Sequence, residues 1–295
     1  MLNALTVDVE DWYMTNGLDL PPETWHRYED RIVGSMDRVL RLLERYDVKA
    51  TFFVLGCVAE RHPGLVERIA ADGHEIGTHG GWHRLLTRMS PDDILEDILA
   101  SRDTLQRISG QPVRLFRAPS WSLHPESYSL LPQLDREGFV CDSSIQPFRT
   151  PLSGVAGAPA RPFHPVVDGR RLGLVEFPAT VCEIGGMRIP FSGGFYLRAL
   201  PYSFIRWAFR RHNRTSPGML YLHPWEFDPQ QPRLQVGPLI RLAQYYRLST
   251  TESKAERLLQ EFRFAPIGRV MEREGFPDIA LYSRGTPTAW GADRL

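Results

Sequence analysis

The sequence predicts an α/β fold of parallel strand–helix units arranged as a barrel, with an irregular elaboration at about residues 146–218. Three observations predict it. Short apolar runs alternate with segments of helical period along most of the chain. A polar or charged residue stands where each apolar run stops, as in βα barrels, whose chemistry gathers at the C-terminal strand ends. Between 146 and 218 the rhythm breaks, and proline and glycine are dense at 147–165.

Taken in order, residues 4–9 read as a buried strand that ends in acid: Asp8, Glu10 and Asp11. Ile32, Met36, Val39, Leu40 and Leu43 have helical spacing over 31–46, and 49–56 is an apolar strand. A second helix is expected over 63–72. A short strand at 73–77 delivers His79 and His83. Ser90-Pro91-Asp92-Asp93 starts a helix with a hydroxyl N-cap, proline at the first helical position and acids facing the dipole. Ile94, Ile98, Leu99 and Leu105 form its apolar face, and Gly110 stops it. The strand at 113–116 ends at Arg117, and a helix near 126–137 feeds a strand ending at Asp142. Within the elaboration, 174–178 reads as a strand, Gly185-Gly186 as a hairpin turn and 201–211 as an amphipathic helix. The strand at 219–222 resumes the rhythm and ends at His223, and a helix around 253–262 closes the compact part. Residues 1–265 are expected to form one domain that includes the elaboration, with 266–295 as an extension or tail.

Composition narrows the function classes. The 295 residues are 42% hydrophobic and 24% charged, enough for a large buried core. Lys plus Arg equals Asp plus Glu at 35 each, so no global field favours nucleic acid, and a neutral substrate is expected. Cys57, Cys141 and Cys182 are odd in number and far apart, which argues for buried thiols rather than a disulfide framework. No apolar run is long enough to span a bilayer. The first residues carry neither a basic n-region nor an apolar h-region, which sets a cytoplasmic location as the expectation.

His79 and His83 stand four positions apart among glycines and can converge on one metal ion. A catalytic site of the His₂–carboxylate kind needs an acid beside them. On an extended segment Asp8 and Glu10 share a face, whereas a bend after Val9 brings in Asp11 instead. Three carboxylates at one strand end repel each other unless a cation or an arginine neutralises them.

Asp8-Val9-Glu10-Asp11, His79-x-x-x-His83, Arg117-Ala118-Pro119, Asp142-Ser143-Ser144 and Leu222-His223-Pro224-Trp225 come in the order of the five motifs of NodB-type polysaccharide deacetylases, carbohydrate esterase family 4, which this chain resembles over residues 4–227. The wording around Asp8 and His223 is similar to the subgroup found with bacterial exopolysaccharide gene clusters. The resemblance implies a distorted (β/α)7-type barrel, the NodB homology fold. It also implies metal-dependent hydrolysis of N-acetyl groups on an N-acetylhexosamine polysaccharide or its precursor, with Zn²⁺ as the usual metal. His79 and His83 become metal ligands, completed by Glu10, with Asp11 as the alternative. Asp8 becomes the general base and Arg117 the group that orients it. His223 becomes the general acid, and Asp142 the carboxylate that holds it as imidazolium. Leu222 and Trp225 would line the pocket for the acetyl methyl, with Trp121 beside them, and the backbone N–H of Ser120 would be the oxyanion donor. The family often has tyrosine at that position. A site at a membrane-peripheral exopolysaccharide assembly fits the subgroup.

The remaining histidines have no partner pattern and read as ordinary residues. Trp12, Trp121 and Trp225 are more simply core than sugar platform. Gly193 and Gly194 read as a tight turn, and Arg206, Arg210 and Arg211 as a solvated helix face. Two other functions fit parts of the pattern. One keeps the fold and metal but cleaves another C–N bond, such as a small cyclic amide, motivated by Val9 and Glu10 where the family has adjacent aspartates. The other is a non-catalytic carbohydrate-binding protein.

Overall fold

A computed structural model of the chain describes residues 1–272 and 275–281. Its centre is an eight-stranded sheet whose paired neighbours are all parallel. The strands β1 (Leu2–Val9), β2 (Thr51–Val54), β3 (Glu75–Thr78), β4 (Leu115–Phe116) and β5 (Cys141–Asp142) follow one another across the sheet. Val175–Glu176 extends it beyond β5, and Met219–Leu222 lies on the other side of β1. Arg263–Ala265 pairs with the first residues of β1.

The sheet curls into the expected barrel, but its two edges meet through side chains and a loop rather than a ladder. Thr180 Oγ1 accepts the Met219 N–H at 2.7 Å. Ser192 Oγ donates to the Thr180 carbonyl at 3.1 Å, and the Ser192 carbonyl accepts the Tyr221 N–H at 3.0 Å.

Alternation along the strands separates two cores. Ala4, Phe53, Leu115, Cys141, Met219 and Tyr221 face the lumen in one apolar cluster. Leu5, Val7, Val9, Phe52, Val54, Leu220 and Leu222 face outward, in a separate cluster shared with the helix Ile32–Arg45 and the helix Tyr202–His212. The helix Pro91–Ser109 begins and ends as the sequence reads: Ser90 Oγ accepts the Asp93 N–H at 3.2 Å, and Gly110 adopts φ +67°. The expected helix near 126–137 is split into a 3₁₀ turn, Pro125–Leu130, and an α-helix, Leu131–Arg136. Pro132 lacks the N–H that would carry one continuous ladder across the junction.

The elaboration holds the hairpin Val181–Ile184/Met187–Pro190, with Gly185 and Gly186 at positive φ in its turn. It also holds the strand His164–Val167, which pairs with Arg170–Arg171 and with Asp278–Leu281. Residues past 265 are therefore more than a tail as far as they are described. Ile267 and Val270, on the helix Ile267–Met271, are buried in the lumen cluster, and Asp278–Leu281 adds a strand. The rest of the expected tail, 282–295, lies outside the described residues. Among the described residues no helix is long and apolar enough to cross a membrane, and the three cysteines are free thiols.

Candidate active site

The strand ends meet in a pocket of about 200 Å³ lined by Asp8, Glu10, His79, His83, Ser120, Trp121, His223 and Trp225, among others. The loop after β3 explains its glycines. Gly80 adopts φ +77°, and a Cβ on Gly81 would stand 2.6 Å from Asp97 Oδ1. Asp97 Oδ2 accepts the Gly81 N–H at 2.6 Å, while the carbonyls of Gly80 and Gly81 accept N–H groups of Gly56 and Cys57. The loop is fixed through its backbone, and both imidazoles are turned inward.

Glu10, His79 and His83 bring one donor atom each within 4.8 Å of one another, and all three are buried. His79 Nδ1 lies 2.7 Å from the Arg117 carbonyl, so it carries the proton and Nε2 is left as a lone-pair donor. Burial pushes the His79 imidazole down to about 4, so the ring is neutral. Glu10 Oε1 accepts from Trp225 Nε1 at 3.0 Å. Its Oε2 lies 2.6 Å from His83 Nε2 yet is a buried oxygen without a hydrogen-bond partner. Burial alone would raise the Glu10 carboxyl, but His83, His223 and His79 outweigh it and hold it at about 2. Two imidazoles and one carboxylate, with one of its anionic oxygens orphaned, suit a divalent cation.

Asp11, the alternative third ligand, is outside this cluster. Its Oδ2 accepts the N–H groups of Arg31 at 2.7 Å and Ile32 at 3.1 Å, and its Oδ1 accepts the Trp12 N–H at 2.8 Å. It caps the helix Ile32–Arg45 from a distance, supplying orphan donors of the first turn with an acceptor. Adjacent acids point to opposite sides of β1's end, so Glu10 joins Asp8 and Asp11 does not.

Asp8 is held by Arg117, which is fully buried. Nη1 contacts Asp8 Oδ1 at 2.5 Å and Thr6 Oγ1 at 2.9 Å; Nε donates to the Ser143 carbonyl and Nη2 to Ser143 Oγ. Phe53 and Trp121 lie against the guanidinium at 4.2 and 4.3 Å. This many donors and two flat faces are used in a way lysine cannot reproduce.

His223 stands across the pocket, its Nε2 3.8 Å from both Asp8 Oδ2 and Glu10 Oε1. The carboxylate that holds it is not Asp142 but Glu226, whose Oε2 is 2.9 Å from His223 Nδ1. Glu226 is itself buried and paired with Arg198 Nε at 2.7 Å. Burial works against the imidazolium, yet the Glu226 hydrogen bond and charge, with Glu10 and Asp8, raise His223 to about 9. Asp142 follows lumen-facing Cys141 on β5, so alternation turns it to the outer face. There it accepts from Ser144 Oγ at 2.5 Å and sits in register with Glu176. Burial raises both carboxyls of that pair, Glu176 well above the usual range. Asp142 Oδ2 and Glu176 Oε2 have no other donor, so one shared proton satisfies them.

The same alternation corrects Leu222, which packs in the outer cluster while Tyr221 lines the pocket. A Cβ on Gly193 would meet the Tyr221 carbonyl oxygen at 2.3 Å, so this glycine permits close packing rather than only a turn. Ser120 and Trp121 are both left-handed, φ +52° and +57°, which costs energy in non-glycine residues and fixes the rim. Trp225 stacks on His223 at 5.3 Å. Trp12 is buried among Tyr13 and Tyr28 and offers no sugar platform. Asn16 was not foreseen: its Nδ2 lies 3.2 Å from His83 Nδ1 and 3.0 Å from Ser120 Oγ. Glu226 had a visible signal, since an acid three positions after a helix-capping residue is a capping-box pattern. Arg198 and Asn16 had none.

Residues 22–136 match the family model for polysaccharide deacetylases. The chain carries a polysaccharide deacetylase domain. Residues 143–272 match a second model, a domain of unknown function (DUF3473), which takes in the whole elaboration together with His223 and Glu226. The chain is similar to a peptidoglycan-N-acetylglucosamine deacetylase of Bacillus cereus, 38% identical over 82 residues, or 28% of this chain and 30% of that protein. It is also similar to a peptidoglycan-N-acetylmuramic acid deacetylase of Bacillus subtilis, 36% identical over 93 residues, or 32% of this chain and 20% of that protein. The chain thus spans less than a third of the length of these two relatives. A crystal structure from Mycobacterium smegmatis, assigned as a polysaccharide deacetylase, shares the fold with TM-score 0.60 at 20% identity, covering 92% of this chain and 88% of that one.

Proposed function

We propose that the chain is a metal-dependent deacetylase that removes N-acetyl groups from N-acetylhexosamine units of a bacterial polysaccharide or its precursor. The observation that carries this reading is the convergence, in one pocket, of a Glu10–His79–His83 donor set with Asp8 on one side and His223 on the other. Glu10, His79 and His83 hold the divalent ion, taken to be Zn²⁺ because two imidazoles and one carboxylate are an accepted catalytic zinc set. When bound, such an ion polarises an amide carbonyl and acidifies water.

The chain's own residues supply the proton traffic. Asp8, fixed in position by Arg117, accepts the proton from the water that attacks the acetyl carbon. The Ser120 N–H donates to the carbonyl oxygen as negative charge develops there. His223, kept protonated by Glu226, gives its proton to the amide nitrogen as the C–N bond breaks, so that acetate and a free amine leave. Trp121, Tyr221 and Trp225 bound the space for the acetyl group.

The test is acetate release from N-acetylglucosamine oligomers by metal-loaded protein, with the metal content measured in parallel. Release that follows metal content and vanishes in His223→Ala, while that variant keeps its metal, is the expected result. Stoichiometric metal with no acetate from any N-acetylated glycan overturns the proposal.

A further inference from the structure

Between Asp228 and Glu252 the sequence has no Asp or Glu but three arginines, Arg233, Arg241 and Arg247, in a chain whose charges balance overall. This stretch carries the helix Pro238–Tyr245. Its inner side is held by polar contacts: Gln244 accepts from Thr15 Oγ1 at 3.1 Å and donates to the Trp12 carbonyl at 3.1 Å. Arg198 donates to the carbonyls of Ala243, Gln244 and Tyr246. Its outer side is apolar. Leu239 is 81% exposed, Leu242 45%, Ile240 38% and Tyr246 37%. Leu239, Leu242 and Tyr246 recur at i, i+3 and i+7, so they form one stripe. A buried stripe of this kind would be core; here it is turned to solvent, Arg241 lies within it in sequence, Arg247 lies over the Tyr246 ring, and none of the three arginines has an acidic partner among the described residues.

We propose that this stripe docks on an anionic lipid bilayer. Apolar side chains on one face with arginines around them, on a short surface helix, match the chemistry of the headgroup–acyl boundary: the apolar residues enter and the guanidiniums pair with lipid phosphates. Charge complementarity decides for a bilayer over a second copy of the chain, since two copies meeting on this face would oppose the same three arginines. Ala243 lies on the same helix and lines the pocket of Asp8 and His79, so a docked bilayer sits beside the pocket mouth. The matching substrate is then a glycan carried on or next to a membrane. That last step rests on the deacetylase reading, whereas the docking does not.

Co-sedimentation of the full chain with phosphatidylcholine vesicles, with and without phosphatidylglycerol, tests this independently of activity. Binding is expected only with phosphatidylglycerol, and raised salt should release it. The triple variant Leu239→Ser/Ile240→Ser/Leu242→Ser and the variant Arg241→Glu should each weaken partitioning by about tenfold or more, with unchanged circular dichroism and unchanged rate on soluble oligomers. The proposal is overturned if the unmodified chain ignores phosphatidylglycerol vesicles, or if the folded triple variant binds them as well as the parent does. A dimer that forms through this face, breaks up in the triple variant and is not displaced by vesicles also overturns it.

Discussion

Replacing Glu226 with glutamine separates the observed acid pair from the one expected from sequence. In the folded chain His223 is raised from 6.5 to about 9, chiefly by the Glu226 hydrogen bond and charge acting against burial. That difference corresponds to about 3 kcal/mol in favour of the imidazolium. Glutamine keeps the shape and a hydrogen bond but removes the charge, so His223 should fall back to about 6.5 or lower as burial prevails. At about pH 8, the protonated share then drops from roughly nine-tenths to roughly 3%, a loss of about thirtyfold in kcat/KM. The alkaline limb of the pH profile should move from about 9 to about 6.5, with near-parental rate restored below that limb. Asp142→Asn should leave the limb where it is, because Asp142 faces away from the pocket. A Glu226→Gln loss that is uniform across pH, or a limb moved by Asp142→Asn instead, would refute the assignment. The same pair affects stability. His223 is raised, so its contribution is complete below 6.5 and is lost as pH rises through about 9.

Other outcomes follow from the same geometry. Glu10→Gln should weaken metal binding sharply in a competition titration without loss of fold, while Asp11→Ala should keep the metal and lower unfolding free energy by about 1–2 kcal/mol, as for a lost helix cap. Equal metal loss in both would show that the two acids had been assigned wrongly. Arg117→Lys keeps the charge but strands Asp8, Thr6 and Ser143, and should cost about 3 kcal/mol or more in urea unfolding, with a matching fall in rate. Glu176 is raised by burial and by Asp142, so its stabilisation is present below its ordinary 4.5 and is lost as pH rises. Glu176→Gln should therefore melt increasingly above the parent as pH goes from about 5 to about 9; a constant difference would rule out a shared proton.

Much of the barrel could be read because βα units announce themselves twice, by period and by the polar residue at each strand end. The site was legible where strand parity was followed: Glu10 shares a face with Asp8, and the structure brings that acid to His79 and His83. It was misread where family order stood in for parity. Asp142 follows lumen-facing Cys141, and Leu222 follows lumen-facing Tyr221, so both point outward. Glu226 could have been recognised from its spacing to His223. Arg198 and Asn16 could not, because they reach the pocket from segments with no strand-end signature. The helix Pro238–Tyr245 was invisible for a related reason: its apolar stripe is exposed, and periodicity is a signal of burial only when something lies against it.

The position of β1 in the sheet bears on how the chain reaches its native state. This strand precedes all its partners on the sheet, which are Thr51–Val54, Met219–Leu222 and Arg263–Ala265. Only the first is near in sequence, so the other edge of β1 stays open until residues 219–265 have left the ribosome. Loop closure of that span must precede any reward from pairing, which makes folding slow and leaves an apolar edge available to wrong partners meanwhile. Asp8 rides on that strand and Glu10 directly follows it. Their carboxylates do not settle into the pocket by local collapse; they wait for Met219–Leu222 to arrive, and the pocket is assembled late in folding rather than serving as its nucleus.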